Sequence, residues 1–307
     1  MKKRKGESRI QPYVYVSPLL ISIFFLSFIP IVYTIIISFT NYNLDHLDHF
    51  DFIGLSNYMD IFNGPLKSIF VPTFLWTLVF AIVSSCGTYL IGLIFALILH
   101  NENMKERNIY KALLIAPWAI PGIISMLSWQ GLLNEDYGAI NMILKNLHII
   151  STNIPWLTDA TWCRIAVLMI NLWLGFPWMM NICLGALSAI DKEYYEAAKI
   201  DGATKFQMFK SITLPAITFS SLPLVISSFA MNFNNFMVPY MINQGGPQRT
   251  DSVYAGATDL LGGAAYKMTA ETFKYNYSAA YSVLIFLIIG TLSFIQMKKT
   301  GAFEEVE

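Results

Sequence analysis

Residues 71–99 read Val71-Pro-Thr-Phe-Leu-Trp-Thr-Leu-Val-Phe-Ala-Ile-Val-Ser-Ser-Cys-Gly-Thr-Tyr-Leu-Ile-Gly-Leu-Ile-Phe-Ala-Leu-Ile-Leu99. None of these 29 residues is Asp, Glu, Lys, Arg or His. About 20 apolar residues suffice for a helix to cross the hydrocarbon core of a bilayer. In lipid every backbone N–H and C=O must find a partner within the protein, so a spanning segment is a helix or a strand of a closed barrel. The length of the run and the absence of period-two alternation select the helix.

Five further windows have the same character: 13–40, 112–133, 166–190, 216–237 and 279–297, again without Asp, Glu, Lys, Arg or His. The expected fold class is an all-α membrane protein with six transmembrane helices. Composition agrees. Of 307 residues only 13% are charged and 55% are hydrophobic, whereas soluble domains carry about 25% charged residues. The basic start, Met1-Lys-Lys-Arg-Lys5, before an apolar run has the outline of a signal peptide. The run over 13–40 is too long for a signal core of roughly 7 to 15 residues, and no small-residue cleavage site follows, so it reads as the first transmembrane helix.

Lys and Arg set the orientation. With the N-terminus inside, 14 basic residues fall on the inner side and 6 on the outer, 20 in all. Both termini are therefore expected in the cytoplasm. The division of the chain is a basic cytoplasmic segment 1–12, a first helix 13–40, a core 71–297 containing a long inner loop 191–215, and a cytoplasmic tail 298–307.

The charge-free spans exclude several functions. Ion-coupled transporters need ionisable groups at membrane depth, and intramembrane hydrolases need a catalytic acid, base or metal cluster. No G-x-x-x-x-G-K-[ST] loop is present, since Gly262-Gly263-Ala-Ala-Tyr-Lys267 has the wrong spacing. Neither a resident cofactor nor a catalytic group is expected, and no basic block suggests nucleic acid. His46 and His49 lie among Asp45, Asp48 and Asp51, which reads as a solvated acidic outer loop in preference to a metal site. Cys86, Cys163 and Cys183 show no metal or redox spacing, and Cys86 and Cys183 read as small buried hydrophobes. Trp76, Trp156 and Trp162 read as membrane-interface anchors. Pro30, Pro117, Pro121, Pro177 and Pro223 are expected to kink their helices.

The inner loop carries the most specific signal: Glu193-Tyr-Tyr-Glu196-Ala197-Ala198-Lys-Ile-Asp201-Gly202-Ala203, then Ile212-Thr-Leu214-Pro215. Asp191 can cap a helix whose first turns hold Glu193 and Glu196 near the positive dipole end. Ala197 and Ala198 let a partner surface approach, and Gly202 supplies a sharp exit. An ordinary amphipathic loop lying on the membrane is the plainer alternative.

Glu-Ala-Ala, three residues, Gly, nine residues and Ile-x-Leu-Pro resembles the cytoplasmic signature of permease subunits of binding-protein-dependent ABC importers. Phe52-Ile-Gly54-Leu-Ser-Asn57-Tyr58, Phe236-Met-Val-Pro-Tyr-Met-Ile-Asn243-Gln-Gly245-Gly246-Pro247 and Gly256-Ala-Thr-Asp259-Leu-Leu look like the carbohydrate branch. They look closest to the larger permease of maltose and maltodextrin systems. The resemblance covers roughly residues 51–297 and departs from the family at one place. Some members of that group carry a large outer domain after the helix matching 13–40, whereas this chain has only residues 41–70 there.

The resemblance implies a type I importer transmembrane domain in a prokaryotic cell membrane. It implies pairing with a second permease, a dimer of ATP-binding subunits, an extracellular sugar-binding protein and an oligosaccharide cargo. Glu196, Ala197, Ala198, Asp201, Gly202, Leu214 and Pro215 would then couple to the ATPase. Asn171, Gly175 and Trp178 fall at i, i+4 and i+7 beside Leu174, and Ser228, Asn232 and Asn235 repeat that spacing. Amides and a hydroxyl for sugar hydroxyls, an aromatic face for the ring and a small residue for close approach make a candidate sugar site, and the resemblance places substrate contacts at these seven positions. Without it, such residues more often bond only to a neighbouring helix. A secondary sugar transporter and a membrane scaffold that carries no solute are the competing readings.

Overall fold

The computed structural model describes residues 11–101 and 104–299. The basic residues expected within 1–10 and the tail 300–307 lie outside the described residues.

The first span joins α1 (Gln11–Ile23) to α2 (Ile29–Ile37) through a π turn, Phe24–Phe28. After a short 3-10 turn come α3 (Ser56–Phe62) and the long α4 (Lys67–Leu99), followed by α5 (Arg107–Ala119), α6 (Gly122–Leu132), α7 (Ala139–Asn146) and α8 (Ala160–Ser188). A hairpin of α9 (Lys192–Ile200) and α10 (Lys205–Met208) leads through a second π turn, Phe209–Thr213, into α11 (Leu214–Phe233). The chain ends with α12 (Met237–Asn243), α13 (Leu261–Ala270) and α14 (Tyr275–Lys299). Among the described residues there is no strand, only an isolated bridge between Thr40 and Phe52.

Among the described residues five helical stretches are long and apolar enough to span: Tyr13–Ile37, Lys67–Leu99, Ala160–Ser188, Lys205–Phe233 and Tyr275–Lys298. The span expected over 112–133 consists of two helices, α5 and α6, meeting at 91°, so the kink expected at Pro121 is a full break. The break falls at Ile120 and Pro121. Proline pushes the residue before it into extended geometry, and Ile120 has φ −83° and ψ 136°.

The other prolines do not interrupt the helical path. Pro117, Pro177 and Pro223 sit inside continuous helices. Pro30 and Pro215 each stand at the start of a helix entered through a π turn. A proline ring crowds the carbonyl four residues back and offers no N–H. The wider π turn directly upstream takes up that mismatch, so the helical path runs on.

Small residues set how closely the bundle packs. At Gly92 a Cβ would stand 2.6 Å from the backbone nitrogen of Met180, so α4 and α8 cross almost backbone to backbone. One apolar cluster at the α4–α8 contact includes Leu93, Ala96, Leu99, Met180, Cys183, Leu187 and Ile217. Cys183 is buried as expected, but Cys86 is exposed on the face of α4 turned away from the bundle. The first span is supported very little within the chain, with 6% of its apolar window buried. Its C-terminal end is clamped by Asn57, whose Nδ2 donates to the Ser38 and Thr40 carbonyls at 2.8 Å and whose Oδ1 accepts from Asn276 at 2.8 Å. Those carbonyls lie at the end of α2, where no helical N–H remains for them.

The tryptophans correct their sequence reading. Trp76 and Trp156 are buried within the protein. Trp76 Nε1 donates to the Thr258 carbonyl at 3.0 Å, and the Arg164 guanidinium lies 5.0 Å over its ring. Trp156 Nε1 donates to Asn141 at 3.0 Å while Trp162 packs edge-on against it. An indole N–H removed from water needs an acceptor, and the interhelical segments supply one, so these rings pin segments to the bundle.

Candidate functional site

The polar faces of α8 and α11 meet. Asn171 is buried, and its Nδ2 donates to Asn232 Oδ1 at 2.9 Å. Asn232 in turn donates to the Ser228 carbonyl at 2.9 Å and to the Ser228 hydroxyl at 3.2 Å. Asn235 Nδ2 reaches Asn171 Oδ1 at 3.5 Å, and Asn235 Oδ1 accepts from the Val238 N–H at 3.4 Å. Four of the seven residues singled out from the sequence thus form one connected polar chain. Each amide can make four hydrogen bonds. The two contacts of Asn235 lie at the long limit of hydrogen bonding, so that amide is the least committed of the set.

The other three residues are placed differently. Leu174 is partly buried against the cluster around Phe80, Ile170 and Leu260. Trp178 is half-buried one turn beyond Leu174 on α8. Gly175 does not open space for a ligand: a Cβ there would stand 2.8 Å from the Thr88 Cγ2. Its smallness lets α4 approach α8, and a two-helix spacing argument gives no view of that third helix.

The hairpin 191–215 forms as its sequence suggests. Asp191 caps α9, accepting from the Glu193 N–H at 3.0 Å. Gly202 adopts φ +77°. Ala203 N–H returns to the Ala198 carbonyl at 2.9 Å and Gly202 N–H to that of Lys199 at 3.1 Å. This is a Schellman closure, in which a left-handed residue turns the chain back on the helix end. Thr204 and Gln207 form a reciprocal capping box that starts α10. Tyr195 Oη and Thr213 Oγ1, 2.8 Å apart, tie the hairpin to the start of α11.

The outer surface of this hairpin is unusual. Tyr194, Ile200 and Phe206 are 65%, 87% and 72% exposed. The same hairpin holds a recess of about 300 Å³ whose walls include Ala198, Gly202, Met208 and Ser211. Glu196, Ala197, Asp201, Leu214 and Pro215 are exposed around it. Large apolar groups so exposed, beside a rigid recess, form a surface suited to a partner.

At the far end of the bundle lies a pair that sequence reasoning missed. Asp259 and Lys267 are buried, with Lys267 Nζ 2.5 Å from Asp259 Oδ2. The Gly256 N–H donates to the same oxygen at 2.7 Å. Burial pushes the Asp259 carboxyl above the usual carboxylate range, opposed by Lys267. The pair fixes α13 to the loop before it. An acid and a base eight residues apart in an otherwise apolar segment was the available signal.

Comparison with known proteins gives a consistent answer. The family described as "Binding-protein-dependent transport system inner membrane component" matches residues 88–299. The galactooligosaccharides transport system permease protein of Bacillus subtilis is 34% identical over 298 residues, covering 96% of this chain and 71% of that one. The maltodextrin transport system permease protein of the same organism is 35% identical over 306 residues, covering 96% and 70%. The maltose/maltodextrin permease of Vibrio vulnificus is 40% identical over 253 residues, 81% of this chain but 48% of that longer protein. In fold, a bacterial ABC transporter that imports the acidic polysaccharide alginate superposes with a TM-score of 0.79 at 18% identity, covering 96% of each chain.

Proposed function

The chain belongs to the binding-protein-dependent transport system inner membrane components, the membrane-embedded permeases of ABC importers, and from that premise we propose that it carries an oligosaccharide, best a maltodextrin, into the cell. The observation that carries the cargo assignment is the uncharged amide chain Asn171–Asn232–Asn235 with Ser228. A sugar hydroxyl both donates and accepts. It can replace the 3.5 Å contact between Asn235 and Asn171 while the 2.9 Å bond between Asn171 and Asn232 persists. Trp178 would offer its ring to a sugar's C–H face, and Leu174 would bound the same side. Gly175 would act indirectly, by holding α8 against α4. Relatives that carry galactooligosaccharides and maltodextrins support a neutral saccharide.

The driving force is proposed to come from a separate ATPase dimer, docked on the exposed apolar hairpin around Gly202. A second permease would pair with this chain along its sparsely supported first span, and an extracellular binding protein would deliver cargo at the end opposite the hairpin. That orientation puts the hairpin and both termini in the cytoplasm. Closure of the ATPases would pull α9 and, through Tyr195–Thr213, the start of α11, which carries Ser228 and Asn232. Transport is then a switch between two packings of the bundle. The test is ATP hydrolysis by the assembled complex in vesicles with a sugar-loaded binding protein. Stimulation by maltodextrins that is weakened in Asn232→Ala is the expected result. Equal stimulation by wild type and variant, or stimulation by galactooligosaccharides alone, would remove the corresponding assignment.

A further inference from the structure

A polar cavity lies at the hairpin end of the bundle, away from the amide chain. It has a volume of about 250 Å³ and gathers side chains from three helices: His100 at the end of α4, Arg107 and Lys111 on the first turns of α5, and Asn181, Gly185 and Ser188 on α8. Among the described residues no acidic side chain lines it. Among the described residues neither Arg107, Lys111 nor His100 is in an ion pair. Asn181 and Ser188 spend hydrogen bonds on carbonyls of their own helix, at 3.0 and 2.8 Å. Gly185 faces open space, with no atom within 4 Å of where a Cβ would stand.

The charge arrangement is unfavourable as it stands. Arg107 and Lys111 are four residues apart, a like-charge spacing that weakens a helix. They also occupy the end of α5 where the helix dipole is already positive. Lys111 and His100 are half-buried, which reduces their access to water. Arg107, Lys111 and His100 converge with no counter-charge among the described lining residues, an arrangement that favours a bound anion. We propose that this cavity binds the phosphate of an anionic lipid headgroup in the cytoplasmic leaflet. The leaflet assignment rests on the orientation proposed above; the phosphate chemistry does not. Basic cavities between helices at that depth suit such headgroups, and the recess is large enough for a phosphate but closed by helices on the bundle side.

The site would tie α4, α5 and α8 together at the level where α8 passes into the hairpin. Headgroup occupancy would therefore stiffen the base on which α9 moves. This is a lipid dependence distinct from cargo recognition.

The experiment uses the complete complex, purified from vesicles of phosphatidylcholine alone or mixed with phosphatidylglycerol, and counts retained lipid by native mass spectrometry. Phosphatidylglycerol should be retained in preference to phosphatidylcholine. Each cation near an anionic surface contributes about fivefold in binding, so Arg107→Gln with Lys111→Gln should weaken retention roughly thirtyfold. Arg107→Lys with Lys111→Arg should restore it. Gly185→Asp removes no cation but places a carboxylate in the open space, and should also reduce retention. Inorganic phosphate at millimolar concentration should displace little of the lipid; complete displacement would show a free-phosphate site and overturn the lipid assignment. Retention unchanged in both the glutamine pair and Gly185→Asp would overturn the site itself. Carbodiimide cross-linking of Lys111 to the ATPase subunit would assign the cavity to a protein carboxylate and likewise overturn it. Sugar stimulation of ATP hydrolysis in detergent should be the same in the glutamine pair as in wild type, which separates this outcome from failure of the cargo assignment.

Discussion

Gly202 offers a perturbation whose cost can be worked out from local geometry. Its φ is +77°, and no atom lies within 4 Å of where a Cβ would stand. A side chain here meets no steric wall, so the penalty is conformational only. For an L-residue forced left-handed that penalty is about 1–2 kcal/mol. Asparagine tolerates the conformation better than alanine, and a β-branched residue tolerates it worst. The Schellman bonds from Ala203 to Ala198 and from Gly202 to Lys199 would open in proportion. If the closed hairpin is the form that docks, apparent affinity for the ATPase falls by the fraction that remains closed. The expected losses are about 5- to 30-fold for Gly202→Ala, less for Gly202→Asn and more for Gly202→Val. The assay is titration of purified ATPase onto the permease pair in nanodiscs, read as bound fraction. Membrane insertion should be unchanged, because Gly202 lies outside the spans. Equal affinity across the four residues would refute the reasoning, as would a loss that follows side-chain volume without regard to tolerance of positive φ.

Three other perturbations follow from particular contacts. Asn171→Ala and Asn232→Ala should each raise the sugar concentration for half-maximal stimulation about fivefold, and a double-mutant cycle on thermal stability should give a coupling of about 0.6–1.7 kcal/mol. Lys267→Met strands a buried carboxylate and should cost about 3–5 kcal/mol in unfolding measurements, with much of it recovered by adding Asp259→Asn. Gly92→Leu should lower the melting temperature of the detergent-solubilised chain sharply, because its side chain would have to displace the backbone of α8 at Met180.

The helical spans and the hairpin were legible because each is local. Apolar length marks a span, and the Asp191 cap, the Glu-Ala-Ala run and Gly202 mark the hairpin within a few residues of chain. The polar stripes on α8 and α11 were legible as stripes, and helical spacing correctly put Asn171, Ser228, Asn232 and Asn235 on facing sides. What spacing cannot convey is the third helix, so Gly175 read as room for a ligand and proved to be room for Thr88. Hydropathy alone could not separate a straight span from a bent one, since Pro121 leaves the apolar content of 112–133 unchanged while breaking its path. Trp76 and Trp156 sit near the ends of apolar runs, as interface anchors do, yet their partners Thr258 and Asn141 come from distant or loop-flanked segments. The Asp259–Lys267 pair was hidden for a related reason: charge within an interhelical segment reads as solvated until folding buries it.

The central claim is that work reaches the cargo path mechanically, through the hairpin at Gly202. It is tested most directly by uptake of labelled maltodextrin into vesicles containing the permease pair with or without the ATPase, with ATP on the hairpin side. The account predicts accumulation only with ATPase and ATP together, reduced in Gly202→Val in step with the loss of docking. Accumulation by the permease pair alone, driven by an ion gradient without any nucleotide, would contradict it.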